Sequence, residues 1–233
     1  MEVVLLVSLL LPLVVAACIY LLCFSSTGAR ASGDKLLLFG PMGSGKTCLS
    51  LQLRFGKVAP TYTSLQKTVS RCEVEGGDGR KTITLVDMPG TGRLRADLLS
   101  EAAGAAVLAC VIDSSQLAVQ CREAAGMLFD VLRLEAVQRR RPAILIVLNK
   151  SDAKSVSNLQ SARAALESEI QKVRQARTTM ADTASGAASG DLPGFGHSNF
   201  SFQQTRMPTE VVAASAHARD LAAFSDFVCK HIT

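Results

Sequence analysis

The chain has 233 residues, 48% of them hydrophobic and 19% charged. That suits one ordinary domain with additions and supplies ample material for a buried core. The formal net charge of +5 is modest and its basic residues are scattered, so nothing points to direct nucleic-acid binding; the densest run, RRRP at 139–142, reads as a solvated helix end.

Residues 3–24, VVLLVSLLLPLVVAACIYLLCF, carry no charge. As a helix rising ~1.5 Å per residue, that stretch crosses a bilayer core, and Pro12 is tolerable within lipid. A cleaved signal peptide is the rival reading. Only Met1 and Glu2 precede the run, so a basic n-region is missing, and the apolar stretch is long for such a peptide. Arg30 and Lys35 follow it and no basic residue precedes it. The positive-inside rule therefore places the bulk of the chain in the cytosol, behind a single span. Glu2 excludes N-myristoylation, and the ending CKHIT sets Cys229 out of register for prenylation.

Residues 25–34, SSTGARASGD, read as a short polar linker. Strand-like runs then alternate with helical patterns. KLLLF (35–39) predicts a strand and KTCLSLQLRF (46–55) a helix. KTVSRCEV (67–74) alternates like an edge strand, and the turn EGGDG (75–79) joins it to TITLV (82–86). AAVLACVI (105–112), AILIVL (143–148) and EVVAA (210–214) predict buried strands. Residues 118–138 and 157–174 have helical spacing, and 221–232 closes the chain as a helix. This alternation predicts an α/β domain over 35–233: a six-stranded, mostly parallel sheet with helices on both faces. Residues 178–207, rich in Ala, Gly, Ser and Thr, fit no element and read as a long flexible insertion, with FSF near its end docking locally. The seven cysteines show no CxxC pair and no metal spacing; they read as reduced core residues.

Four short motifs carry the chemistry. GPMGSGKT (40–47) matches GxxxxGK[ST] between a strand and a helix. Small residues there let backbone N–H groups point at phosphate oxygens, aided by the positive end of the helix. Gly40, Met42, Gly43, Ser44, Gly45, Lys46 and Thr47 are therefore phosphate-binding candidates, with Lys46 reaching the β and γ phosphates and the Thr47 hydroxyl on Mg²⁺. LVDMPG (85–90) ends a strand in Asp87, a second Mg²⁺ candidate, followed by Gly90, whose N–H would touch the γ-phosphate. LNKSD (148–152) selects the base. Asp152 offers two oxygens to the N1–H and 2-amino group of guanine; adenine lacks that donor pair, and a buried mismatch costs on the order of 1–3 kcal/mol per group. Asn149 braces the loop and the stem of Lys150 covers the ring. In ASA (214–216), the N–H of Ala216 meets guanine O6 and Ser215 shapes the turn. Each motif ends a strand-like run, where open parallel sheets bind ligands.

With these four motifs in this order, the chain resembles the small GTPase superfamily, which implies GTP or GDP and Mg²⁺ as ligands. The resemblance implies a threonine between the first helix and the second strand that binds Mg²⁺ only in the GTP state: Thr63, with Thr61 as the alternative. Most relatives carry Gln after DMPG, whereas this chain has Thr91, too short to place the attacking water. Met42 is bulky for its place. Both imply at most slow GTP hydrolysis. The membrane span, TSL in the switch, DMPG without its glutamine and the insertion ending FSFQQ resemble the β subunits of the signal recognition particle receptor. That likeness implies an endoplasmic reticulum membrane protein whose GTP form binds the N-terminal domain of the receptor α subunit, bringing ribosomes with nascent secretory chains to the translocon. An Arf- or Sar-like trafficking GTPase, a scaffold that holds GTP without switching and a nucleotide kinase are the alternatives. The permanent span argues against the first and NKSD against the last.

Overall fold

The computed structural model describes residues 33–58, 64, 66–91, 94–153, 158–183, 192 and 198–233. The expected span over 3–24 and the candidates Thr61 and Thr63 lie outside the described residues, among which no helix is long and apolar enough to cross a membrane.

Six strands, β1 (Lys35–Phe39), β2 (Thr68–Gly76), β3 (Gly79–Asp87), β4 (Val107–Asp113), β5 (Ala143–Asn149) and β6 (Thr209–Ala213), form one sheet in the order β2-β3-β1-β4-β5-β6. Only the β2–β3 hairpin is antiparallel, and β1 lies parallel between β3 and β4. Chain direction across the sheet reverses at β1, so the loop after it opens at the topological switch point.

Among the described residues six helices cover the sheet: α1 (Lys46–Phe55), α2 (Arg95–Ala103), α3 (Leu117–Leu132), α4 (Glu135–Arg140), α5 (Leu159–Thr183) and α6 (Ala222–His231). Every residue of β4 and β5 is buried, including Asp113 and Asn149 at their ends. Successive side chains go to opposite faces. Leu108, Cys110 and Ile112 join α2, α3 and α5, whereas Val107, Ala109 and Val111 join α1 and α6. Such burial stabilises by about 1.5–3 kcal/mol per large aliphatic side chain.

Three departures from the sequence reading have local causes. The helix expected over 118–138 is two helices, because Leu134 is extended (φ −63°, ψ 125°) and breaks the run. Helix α2 was not expected; its one-sided burial rests on Leu98 and Ala102. The stretch 178–207 is structured at both ends. Helix α5 continues to Thr183, with the Thr178 and Thr179 hydroxyls bonding back to Arg174 O and Gln175 O. After the loop, Phe200 and Phe202 are buried edge to face, with centroids 5.2 Å apart. Glu167 accepts from Phe202 N (2.9 Å) and Gln171 from Phe200 N (2.9 Å), so FSF is fastened to α5.

Candidate nucleotide-binding site

The loops after β1, β3, β5 and β6 meet at one edge of the sheet. Between them lies a cleft of about 480 Å³ lined by Met42, Gly43, Gly45, Lys46, Thr47, Gly90, Asn149, Lys150, Asp152 and Ala216, together with Cys48, Ala153 and His217. The volume falls in the usual range for small-molecule sites.

The first loop is shaped by what crosses it. Gly45 caps α1 at φ 89°, in the left-handed region, and a Cβ there would strike the Asn149 carboxamide. Lys46 is buried, and its ammonium bonds Pro41 O (2.7 Å), Gly40 O (2.9 Å) and Ser44 Oγ (3.4 Å). Burial lowers its pKa, while the charge of Asp87 opposes that shift. The cation is thus held inside the loop's own carbonyl ring, over the cleft.

Asn149 ties three motifs together. Its Nδ2 donates to Ser44 O (2.8 Å), and its Oδ1 accepts from Ala216 N (3.2 Å). Lys150 sits at φ 61°. Its ammonium donates to Gly43 O (2.9 Å) and pairs with Asp113 Oδ2 (2.6 Å), so its stem spans the cleft. Burial pushes Asp113 upward, but bonds from Lys150 and Ser115 hold it below the ordinary carboxylate range. Ser215 donates to Asp152 Oδ1 (2.5 Å), and Ser151 to Ala214 O (2.9 Å), which fastens the base-side loop to the last turn. The Ser215 bond lowers the Asp152 pKa, keeping an exposed carboxylate charged at the cleft mouth.

Ser44 and Ser215 are buried behind the lining, and Gly40 begins the loop. Asp87 ends β3 beside Leu38 of β1. It is buried, and its Oδ1 has no hydrogen-bond partner. Burial raises its pKa, against the pull of the Thr47 hydroxyl and Lys46. Thr47 Oγ1 lies 3.2 Å from the hydroxyl of Ser64, the neighbour of Thr63. An orphaned buried carboxylate oxygen beside a threonine hydroxyl fits a hard cation that takes its remaining ligands from phosphate and water. Among the described residues no group of three or more His, Cys, Asp or Glu side chains is placed to hold a metal ion.

Gly90 meets the first loop directly: a Cβ would come 2.7 Å from Met42 N and 2.8 Å from its Cα. Thr91 is not brought into the cleft. It lines a separate small cavity with Phe39, Met88 and Arg95. Sequence reasoning missed Gln120, a buried residue of α3 that accepts from Asp113 N (3.0 Å) and donates to Met42 O (3.1 Å). No motif marks it. It also missed Asp113, legible only as an acid closing a buried strand, and the cleft residues Cys48 and His217, each adjacent to a motif.

The sequence profile of the signal recognition particle receptor beta subunit matches residues 31–211. The chain belongs to the signal recognition particle receptor β-subunit family. The subunit beta of this receptor from Mus musculus is 29% identical over 192 residues, covering 81% of this chain and 71% of its own. The structure of the mammalian SRP receptor superposes with a TM-score of 0.71 at 26% identity, covering 84% of this chain and 98% of that one. Two structures from Chaetomium thermophilum share the fold. An SRb-GTP/SRX complex has a TM-score of 0.67 at 19% identity, covering 84% of this chain and 98% of its own. An SRb-GDP-Mg form has 0.63 at 20%, covering 87% and 99%.

Proposed function

We propose that this β-subunit-family chain is a guanine-nucleotide switch that holds GTP or GDP with Mg²⁺ and binds the receptor α subunit through its N-terminal domain in the GTP form. The single observation that carries the reading is Asp152. Ser215 keeps its carboxylate charged at the mouth of the same cleft whose other end holds Lys46. An ion that accepts two bonds from one base edge distinguishes guanine from adenine.

The residues divide the work. Lys46 exchanges its bonds to Gly40 O and Pro41 O for phosphate oxygens, a trade of neutral acceptors for charged ones. Thr47 and Asp87 would hold the metal, and Thr63 would join them when the γ-phosphate is present. When bound, Mg²⁺ supplies positive charge that neutralises the phosphates. Asn149 keeps the base loop in register with the phosphate loop, and Ala216 presents its N–H to O6. Gly90, packed on the backbone of Met42, is placed to sense the γ-phosphate. A partner that binds the loops ordered by Thr63 and Gly90 stabilises the GTP form, and GTP strengthens that partner's binding by the same factor. Thr91 faces its own cavity, which supports slow hydrolysis in the absence of a partner.

Residues 3–24 anchor the chain in the endoplasmic reticulum membrane with the nucleotide domain in the cytosol, from where the receptor delivers ribosomes to the translocon. The SRb-GTP/SRX complex supports the partner; the uncharged run 3–24 supports the membrane, and the charge asymmetry around it supports the orientation.

Competition for labelled GTP on the full chain tests the nucleotide assignment. GTP and GDP should displace the label, while ATP should be weaker by about a hundredfold or more, as two lost charge-assisted bonds require. Equal displacement by ATP would refute the reading. A scaffold that holds GTP without switching is the second reading, favoured by Thr91 lying outside the cleft; it predicts the same nucleotide preference but equal partner affinity in both nucleotide states.

A further inference from the structure

At the sheet edge opposite the nucleotide cleft lies a second cleft, of about 550 Å³, lined by polar side chains that include Gln138, Arg141, Gln203, Gln204 and Arg206. No carboxylate lines it. Arg141 follows α4 and Arg206 follows the short turn Phe202–Thr205. Each caps the end of its element in the left-handed region, at φ 50° and φ 57°. Glycine is the ordinary choice there, because it bears no Cβ penalty. Two arginines occupy these places instead. Neither side chain forms a hydrogen bond or ion pair among the described residues, and Arg141 is half-buried. Arg206 is exposed, and two guanidinium groups lining one polar cleft with no carboxylate on it make a fork suited to a phosphate group.

The position of this cleft says which phosphate. Backbone bonds cross the sheet edge from Ala106 N to Lys35 O, from Ala143 N to Ala106 O, and from Ile144 N to Pro208 O. The starts of β1, β5 and β6 therefore share one edge. Arg141 and Arg206 precede β5 and β6 on it, and the chain enters it at Lys35 from the apolar stretch 3–24. Residues 25–34 between them reach at most ~35 Å when extended. On the reading of 3–24 as a membrane span, that reach limits how far this edge lies from the bilayer.

We propose that Arg141 and Arg206 bind the phosphate headgroup of an anionic membrane phospholipid. The lipid source rests on the reading of 3–24 as a membrane span; the anion site itself rests only on the two arginines and their cleft. Binding there would fix the orientation of the domain on the membrane and aim the nucleotide edge outward.

The test uses the full chain in neutral detergent, titrated by calorimetry with dioctanoyl phosphatidic acid, dioctanoyl phosphatidylcholine and inorganic phosphate. Phosphatidic acid should bind more tightly than either of the others. The double variant R141Q/R206Q should weaken it by about tenfold or more, while R141K/R206K, which keeps both charges, should retain part of the affinity. Equal binding of phosphate and phosphatidic acid would overturn the lipid source. Undiminished binding in R141Q/R206Q, or no binding to wild type, would overturn the site. GTP affinity measured on the same samples separates the two proposals: a failure here with GTP bound normally leaves the nucleotide reading intact.

Discussion

Asn149 and Ser44, far apart in sequence, are joined by a 2.8 Å hydrogen bond from carboxamide to carbonyl, and the other end of the same carboxamide accepts from Ala216 N. One buried side chain thus sets the distance between the phosphate loop, the base loop and the last turn. The site is a single rigid frame rather than three independent loops.

Asn149→Ala removes both bonds and leaves a buried carbonyl and a backbone N–H without partners. Stability should fall by about 1–3 kcal/mol, and guanine-nucleotide affinity by at least about tenfold, since the frame that aligns base and phosphate contacts is lost. Thermal melts and nucleotide titration of the same samples check both. An unchanged affinity would show that the three loops are aligned by something else.

Much of this frame was legible in the sequence. KLLLF and GPMGSGKT announce a strand, a loop and a helix, and the strand ends bearing Asp87 and Asn149 fall where the apolar runs stop. What was hidden is what depends on partners distant in sequence. Gln120 looks like any polar helix residue until its amide is seen bridging Asp113 and Met42. The local docking of FSF was legible, but its partners were not: Glu167 and Gln171 present the acceptors from α5, which no local pattern encodes. The break at Leu134 carries neither glycine nor proline to mark it.

Asp152→Asn should exchange base preference. The carboxamide keeps one acceptor but presents a donor where the 2-amino group of guanine needs an oxygen. GTP affinity should fall by about a hundredfold, and xanthosine triphosphate, with a carbonyl at that position, should gain. Competition binding with both nucleotides reads the change. Parallel losses for both would place Asp152 in a structural role.

Ser215→Ala should make guanine recognition sensitive to acid. The Ser215 hydroxyl depresses the Asp152 pKa. A carboxylate with a depressed folded pKa contributes its stability above the ordinary carboxylate range and loses it only as pH falls through the lower folded value. Removing the hydroxyl returns Asp152 toward that range, ~3.9, so the acid limb of GTP binding should move upward in pH. Binding profiles from about pH 2.5 to 6, which span the range at and below the ordinary carboxylate value, compare the two proteins. Coincident acid limbs would remove the bond from the account.

Gly90→Ala should uncouple nucleotide from partner. The new methyl meets the backbone of Pro41 and Met42 at 2.7–2.9 Å, a contact that only backbone displacement relieves. GDP should bind within about threefold of wild type, because Gly90 serves the γ-phosphate, whereas GTP-dependent capture of the α subunit should fall by about tenfold or more. Equal loss for GDP and GTP would mean that the methyl damages the phosphate loop as a whole.

Whether the chain switches is read by partner capture in defined nucleotide states. Full chain loaded with a non-hydrolysable GTP analogue or with GDP, with bound nucleotide verified, is presented with the N-terminal domain of the receptor α subunit. The account predicts strong capture by the GTP-analogue form and little by the GDP form. Equal capture in both states would contradict it, leaving GTP as a structural ligand of the receptor subunit.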